Sequence, residues 1–170
     1  SDYVYAEYQG GVIARINRKT HESRNIQPLP GYKEGKLRYN WNTPIHLSPT
    51  QRGVIYIGAQ FLFRSRDYGQ TWERISPDLT TKDPEKQKQE QSGGITVDNS
   101  AAEMHTTVYS IAESPKNPDV LWAGTDDGLI HVTRNGGTSW TNVTPAALGP
   151  WAKVSIIEAS HFDPNTASAS

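Results

Sequence analysis

The chain repeats one phrase three times, and this repeat constrains its fold more than any other feature. The copies are YVYAEYQGGVIARINRKTHESRNIQP from residue 3, VIYIGAQFLFRSRDYGQTWERISP from residue 54 and VLWAGTDDGLIHVTRNGGTSWTNVTP from residue 120. Val54-Ile55-Tyr56-Ile57-Gly58 recurs as Val120-Leu121-Trp122-Ala123-Gly124 at an offset of 120 − 54 = 66, and Gly11-Val12-Ile13 recurs as Gly128-Leu129-Ile130 at 128 − 11 = 117. Each copy reads as three short strands, B, C and D: a β-branched and aromatic run, a second run, a tight turn, and a third run ending near Pro. A further strand, A, precedes two copies at Thr43 to Leu47 and Thr107 to Ala112, each followed by Ser-Pro. A repeated four-stranded antiparallel unit is what a β-propeller blade requires; helical and leucine-rich repeats need periodicities that these period-2 runs lack. The sequence therefore predicts an all-β, partial β-propeller of about three blades. Its expected divisions are 1–30 for strands B-C-D of a first blade, 38–77 for a second, 78–106 for a long inter-blade loop, 107–145 for a third, and 151–170 for strand A (Lys153 to Ala159) of a next blade.

Composition narrows the function. The length of 170 residues suits one ordinary domain with its own core. The net charge, 17 − 18 = −1, supplies no field to gather nucleic acid or an anionic membrane, so neither is an expected partner. No apolar run approaches the ~18 residues of a membrane span. The absence of Cys removes disulfides, thiolate metal sites and a cysteine nucleophile. Ser1-Asp2-Tyr3-Val4-Tyr5 lacks the basic and apolar regions of a signal peptide and reads as the interior of a longer protein. The Lys82 to Glu90 run has no apolar face and is expected to be a solvated excursion, at most a short exposed helix.

The C to D turns carry the most specific motif. Ser65-Arg66-Asp67-Tyr68-Gly69-Gln70-Thr71-Trp72 and Thr133-Arg134-Asn135-Gly136-Gly137-Thr138-Ser139-Trp140 both follow Ser/Thr-x-Asp/Asn-x-Gly-x-Thr/Ser-Trp. Asp or Asn accepts backbone N–H bonds within a tight turn, Gly takes positive φ, and Trp covers the hairpin. The roles expected of Ser65, Asp67, Gly69, Thr71, Trp72, Thr133, Asn135, Gly137, Ser139 and Trp140 are structural. The first copy has Ile16, Arg18, Thr20 and Ser23 at the matching places, so it keeps the strand spacing without the motif. The octapeptide resembles the Asp box, or bacterial neuraminidase repeat. The chain is similar to bacterial sortilin-like and glycosyl-hydrolase-like repeat proteins along nearly its whole length, including Tyr39 to Ile45 and Ser92 to Asn99. The resemblance implies an extracytoplasmic parent and leaves the chemistry open, because propellers host enzymes, receptors and scaffolds alike. Sialidases of this kind carry an Arg-Ile-Pro segment; here Arg15-Ile16 is followed by Asn17.

In a propeller the D to A and B to C connections share one face, opposite the C to D turns. The residues expected there are Tyr39 and Trp41 for stacking on a sugar, with His105, Asp126 and Asp127 as further ligand-binding candidates. Asp98 and Glu103 are the candidate catalytic carboxylates. No cofactor is expected, and His21, His46, His131 and His161 show no metal-ligand spacing. The favoured reading is a carbohydrate- or protein-binding or scaffolding segment of a secreted propeller. A glycoside hydrolase, xyloglucanase- or sialidase-like, is the alternative. The expected partners are a glycan or protein ligand and the remaining blades of a parent chain or a second copy. In the two-chain version Lys153 to Ala159 of one copy completes the sheet begun at Tyr3 in the other.

Overall fold

A computed structural model describes residues 2–31, 35–88, 91 and 104–170. The strands form four antiparallel sheets, each ordered as in the sequence. The first contains β1 (Tyr3–Tyr8), β2 (Val12–Asn17) and β3 (Ser23–Asn25). The second contains β4 (Ile45–Leu47), β5 (Ile55–Gly58), β6 (Leu62–Ser65) and β7 (Glu73–Arg74). The third contains β8 (Val108–Ser114), β9 (Asn117–Thr125), β10 (Ile130–Thr133) and β11 (Thr141–Asn142). The fourth pairs β12 (Ile157–Ala159) with β13 (Ala167–Ala169). The architecture is a partial β-propeller, all-β apart from short 3₁₀ turns.

The last sheet differs from the single strand expected after residue 151. β13 occupies the strand B position beside β12, through Ile157↔Ala169 to Ala159↔Ala167. A two-chain closure that pairs β12 with β1 of another copy would have to displace it.

Period-2 patterning explains the stacking. Along the second sheet Val54 and Tyr56 enter the cluster shared with the third sheet, whereas Ile55 and Ile57 enter the cluster shared with the first. Leu121 and Ala123 face the second sheet, and Val120 and Trp122 join Val154, Ile157 and Ala159. Alternate side chains point to opposite faces, so apolar residues at both phases create a sheet buried on both sides.

The turn motif ties neighbouring sheets together as well as closing its own hairpin. Ser65 Oγ accepts the Gly69 N–H (2.8 Å), and Asp67 Oδ1 accepts the N–H groups of Gln70 and Thr71 (3.0 and 2.9 Å). Asn135 Oδ1 accepts the Ser139 N–H (2.9 Å), and its amide donates to Ser139 Oγ (2.8 Å). Gly137 has φ +97°, and a Cβ there would lie 2.6 Å from the Ile75 carbonyl oxygen, so glycine serves both conformation and approach to the preceding sheet. Trp72 and Trp140, expected over their own hairpins, instead reach back across the interface. Their indole N–H groups donate to the carbonyls of Ile26 (2.7 Å) and Ile75 (2.8 Å). Strand C returns the tie: Arg15 Nη1 donates to the Tyr68 carbonyl (3.0 Å) and Arg64 Nη1 to the Gly136 carbonyl (3.1 Å).

Candidate functional site

The B to C turns and the D to A connections leave the same end of the sheets, and there the third sheet's turn binds two connections at once. Asp126 Oδ1 accepts the Thr107 N–H (2.8 Å), while its Oδ2 accepts Thr107 Oγ1 (2.7 Å) and the Asn40 amide (3.0 Å). Asp127 Oδ2 accepts both the N–H and the hydroxyl of Thr81 (2.8 and 2.7 Å), and its Oδ1 accepts Thr125 Oγ1. Both aspartates are buried. Their oxygens are engaged by the protein, which corrects the expectation that they present carboxylates to a ligand: they fasten residues 40 and 81 to the third sheet.

A second layer supports this clamp. Arg38 pairs with Asp78 (3.1 Å) and donates through Nε to the Thr106 carbonyl (3.2 Å). Gln60 receives the Arg38 N–H (2.8 Å) and donates to the Lys36 carbonyl (3.1 Å). Thr106 has φ +60°, an unfavourable conformation for a β-branched residue, and its buried hydroxyl has no hydrogen-bond partner among the described residues.

Tyr39 also departs from its expected role. It is buried, its hydroxyl donates to the Pro28 carbonyl (2.9 Å), and burial pushes its pKa up. Its ring fills the space a side chain would need at Gly11, where a Cβ would lie 2.2 Å from the ring. Tyr39 therefore cements the first sheet to the second and offers no stacking face.

Aromatic side chains are among the groups that remain exposed on this rim. Trp41 is 42% exposed and Trp151 69% exposed. Beside Trp41, the Asn42 amide donates to the Tyr109 hydroxyl (3.0 Å), and Lys153 Nζ lies 4.6 Å from the Tyr109 ring centroid. The His105 and Trp151 ring centroids are 5.6 Å apart, and His105 Nδ1 is 3.8 Å from Asp126 Oδ1 without a hydrogen-bond partner among the described residues. Lys86, from the run expected to be solvated, is buried: its Nζ donates to the Pro150 carbonyl and lies 4.3 Å from the Trp151 ring centroid. The cation–π contact and the carbonyl bond draw its long side chain out of water. Asp98 and Glu103 lie outside the described residues.

Sequence reasoning missed Trp151, Tyr109 and Lys86. The signal for Trp151 was an aromatic residue in the turn sequence Leu148-Gly149-Pro150-Trp151, away from any apolar alternation. Nothing local marked Lys86, because its partner is 64 residues away.

No protein-family model matches the chain, and no curated protein matches it in sequence. Solved structures do match the fold. An ancestral GH74 enzyme superposes over 99% of this chain and 20% of its own, with a TM-score of 0.61 and 17% identity. The GH74 xyloglucanase from Xanthomonas campestris superposes over 99% of this chain and 26% of its own, with a TM-score of 0.62 and 16% identity. The extracellular domain assigned to a one-component system of B. thetaiotaomicron superposes over 93% of this chain and 17% of its own, with a TM-score of 0.51 and 17% identity. The chain thus spans about a quarter or less of these structures, and the likeness shows a β-propeller fold.

Proposed function

We propose that the chain is a segment of an extracytoplasmic Asp-box β-propeller and contributes a carbohydrate-binding rim. The observation that carries this reading is the division of labour at the B to C end. Carboxylates at 78, 126 and 127 are drawn into internal hydrogen bonds, while the indoles of Trp41 and Trp151 remain exposed. Aromatic faces stack on the C–H face of a sugar, and the Asn42 amide with the Lys153 ammonium supplies polar groups for its hydroxyls. The repeated turns at 65–72 and 133–140 support the Asp-box assignment, and the GH74 folds make β-glucans the first ligands to test.

The test is calorimetric titration with a panel of β-glucan oligosaccharides that includes xyloglucan. Trp151→Ala and Trp41→Ala should each weaken binding about tenfold, the equivalent of ~1.4 kcal/mol per lost stacking contact. Wild-type affinity in both variants overturns the rim. The glycoside-hydrolase alternative rests on Asp98 and Glu103. Release of reducing ends by the wild type, abolished by Glu103→Gln or Asp98→Asn, would replace the binding reading with it.

A further inference from the structure

Two cavities at the C to D end, one at each of the first two interfaces, have equivalent positions and different charge arrangements. The second cavity, about 310 Å³, is lined by Arg64, Glu73, Arg74 and residues 75–77 and 136–138. Arg64 and Glu73 face each other across strands β6 and β7, and Arg64 Nη2 donates to the Glu73 carboxylate (2.9 Å). Arg74 lies over the Phe61 ring at 4.8 Å. The half-buried guanidinium of Arg64 here has its counter-ion.

The first cavity, about 240 Å³, is lined by Tyr3, Arg15, Asn17, Glu22, Arg24, Tyr68 and Gln70. Arg15 occupies the place of Arg64, and its cross-strand partner on β3 is Arg24 instead of a glutamate. Like charges directly opposite one another in a sheet are destabilising. The lone glutamate binds the exposed guanidinium: Arg24 Nε donates to Glu22 Oε1 at 2.7 Å. Arg15 is 8% exposed, is held by the Tyr68 carbonyl and the Tyr3 ring 4.7 Å from its Cζ, and meets no carboxylate within ion-pair distance among the described residues. A nine-tenths-buried cation that lines a polar cavity without a counter-ion is a site for an exogenous one.

We propose that the Arg15–Arg24 cavity binds an oxyanion. A guanidinium pair presents N–H groups in the planar fork that matches carboxylate, sulfate or phosphate oxygens. Asn17 and Gln70 line the same space with amide groups. The site faces away from the aromatic rim, so it stands or falls independently of the sugar-binding reading.

The experiment is a titration of the arginine Nε–Hε resonances by NMR at constant ionic strength. One arm adds sodium sulfate as the free oxyanion, and the other adds sodium glucuronate as a sugar-borne carboxylate; sodium chloride is the background. Saturable shifts at Arg15 and Arg24 are expected, with a stronger response to glucuronate assigning the sugar-borne source. Arg24→Glu, which copies the second interface, should weaken binding at least tenfold. Arg24→Gln gives the same direction if the charge reversal impairs folding. Glu73→Arg should create a second saturable response at Arg64. Absence of saturation by both anions in the wild type, or an unchanged affinity in Arg24→Glu and Arg24→Gln, overturns the site.

Discussion

The first–second and second–third interfaces are built from the same repeat and share one set of ties while differing in another. Both have the indole-to-carbonyl bond and the returning arginine-to-carbonyl bond at the C to D end. They diverge toward the strand A edge. At the second–third interface the buried Glu113 accepts hydroxyl hydrogens from Ser48 and Tyr56 (both 2.8 Å) and from Thr50. Its N–H donates to His46 Nε2 (3.1 Å), and burial lowers the pKa of that histidine despite the opposing charge of Glu113. At the first–second interface Leu47 and Tyr5 take the equivalent places, and a cavity of about 400 Å³ opens between them. At the third–fourth interface Trp122 shares a cluster with Ala159, and the indole N–H has no hydrogen-bond partner among the described residues.

The backbone diverges at the same interfaces. The Val108 N–H donates to the Ala59 carbonyl (2.7 Å), and the Val154 N–H repeats this with the Thr125 carbonyl (3.0 Å). The first–second interface replaces this carbonyl acceptor with a side chain. There the Thr43 N–H donates to Glu7 Oε1 (3.3 Å), with Glu7 standing where the later copies have Gly58 and Gly124. Shared ties therefore set the stacking, and local substitutions tune each interface.

The largest expected effect tests the shared part. Trp72→Ala and Trp140→Ala should each cost about 3 kcal/mol, and the Phe variants about 1 kcal/mol for the lost hydrogen bond, read from urea midpoints. A large cost at only one site would break the claim that the two interfaces use the same tie. Glu113→Leu, which copies Leu47, should cost about 2 kcal/mol by orphaning the Tyr56 hydroxyl. Adding Tyr56→Phe should recover part of it; a fully additive double variant would count against their coupling. Gly58→Ala and Gly124→Ala should each cost about 1–2 kcal/mol by crowding, because the added Cβ would lie 2.8 Å from Val108 and 2.4 Å from Val154 respectively. Glu7→Ala should cost about 1 kcal/mol, by removing the acceptor of the Thr43 N–H.

The smallest effect is an acid one and separates the two turns. Burial would raise the Asp67 carboxyl, but hydrogen bonds from Thr71, Ser65 and Gln70 outweigh it and hold the pKa at about 2. A folded pKa below the unfolded value of 3.8 means that stabilisation is present above pH 3.8 and is lost as pH falls through about 2. Asn135 carries no such titration, so Asp67→Asn should flatten the thermal midpoint across that window. An unchanged acid slope would place the sensitivity elsewhere.

Much of the fold was legible because its determinants are local. The Gly-terminated strands, the period-2 alternation and the turn hydrogen bonds all join residues a few positions apart, so the repeat and its strands follow from the sequence. The site was less legible. Asp126 and Asp127 read as available carboxylates until Thr107, Asn40 and Thr81 closed around them, and Tyr39 read as a platform until Gly11 gave it a place to bury.

By itself the sequence determined a repeating all-β unit, its strand order and its turn chemistry. Tertiary structure alone decided which of two equivalent arginines has a counter-ion, which carboxylates are consumed internally and which indoles stay in water. The physical reason is that an inter-sheet partner is set by what another copy places opposite, at separations such as the 46 residues between Asp127 and Thr81. A single substitution there, Leu47 for the glutamate at 113 or Arg24 for the one at 73, changes the electrostatics of an interface while leaving the strand pattern intact.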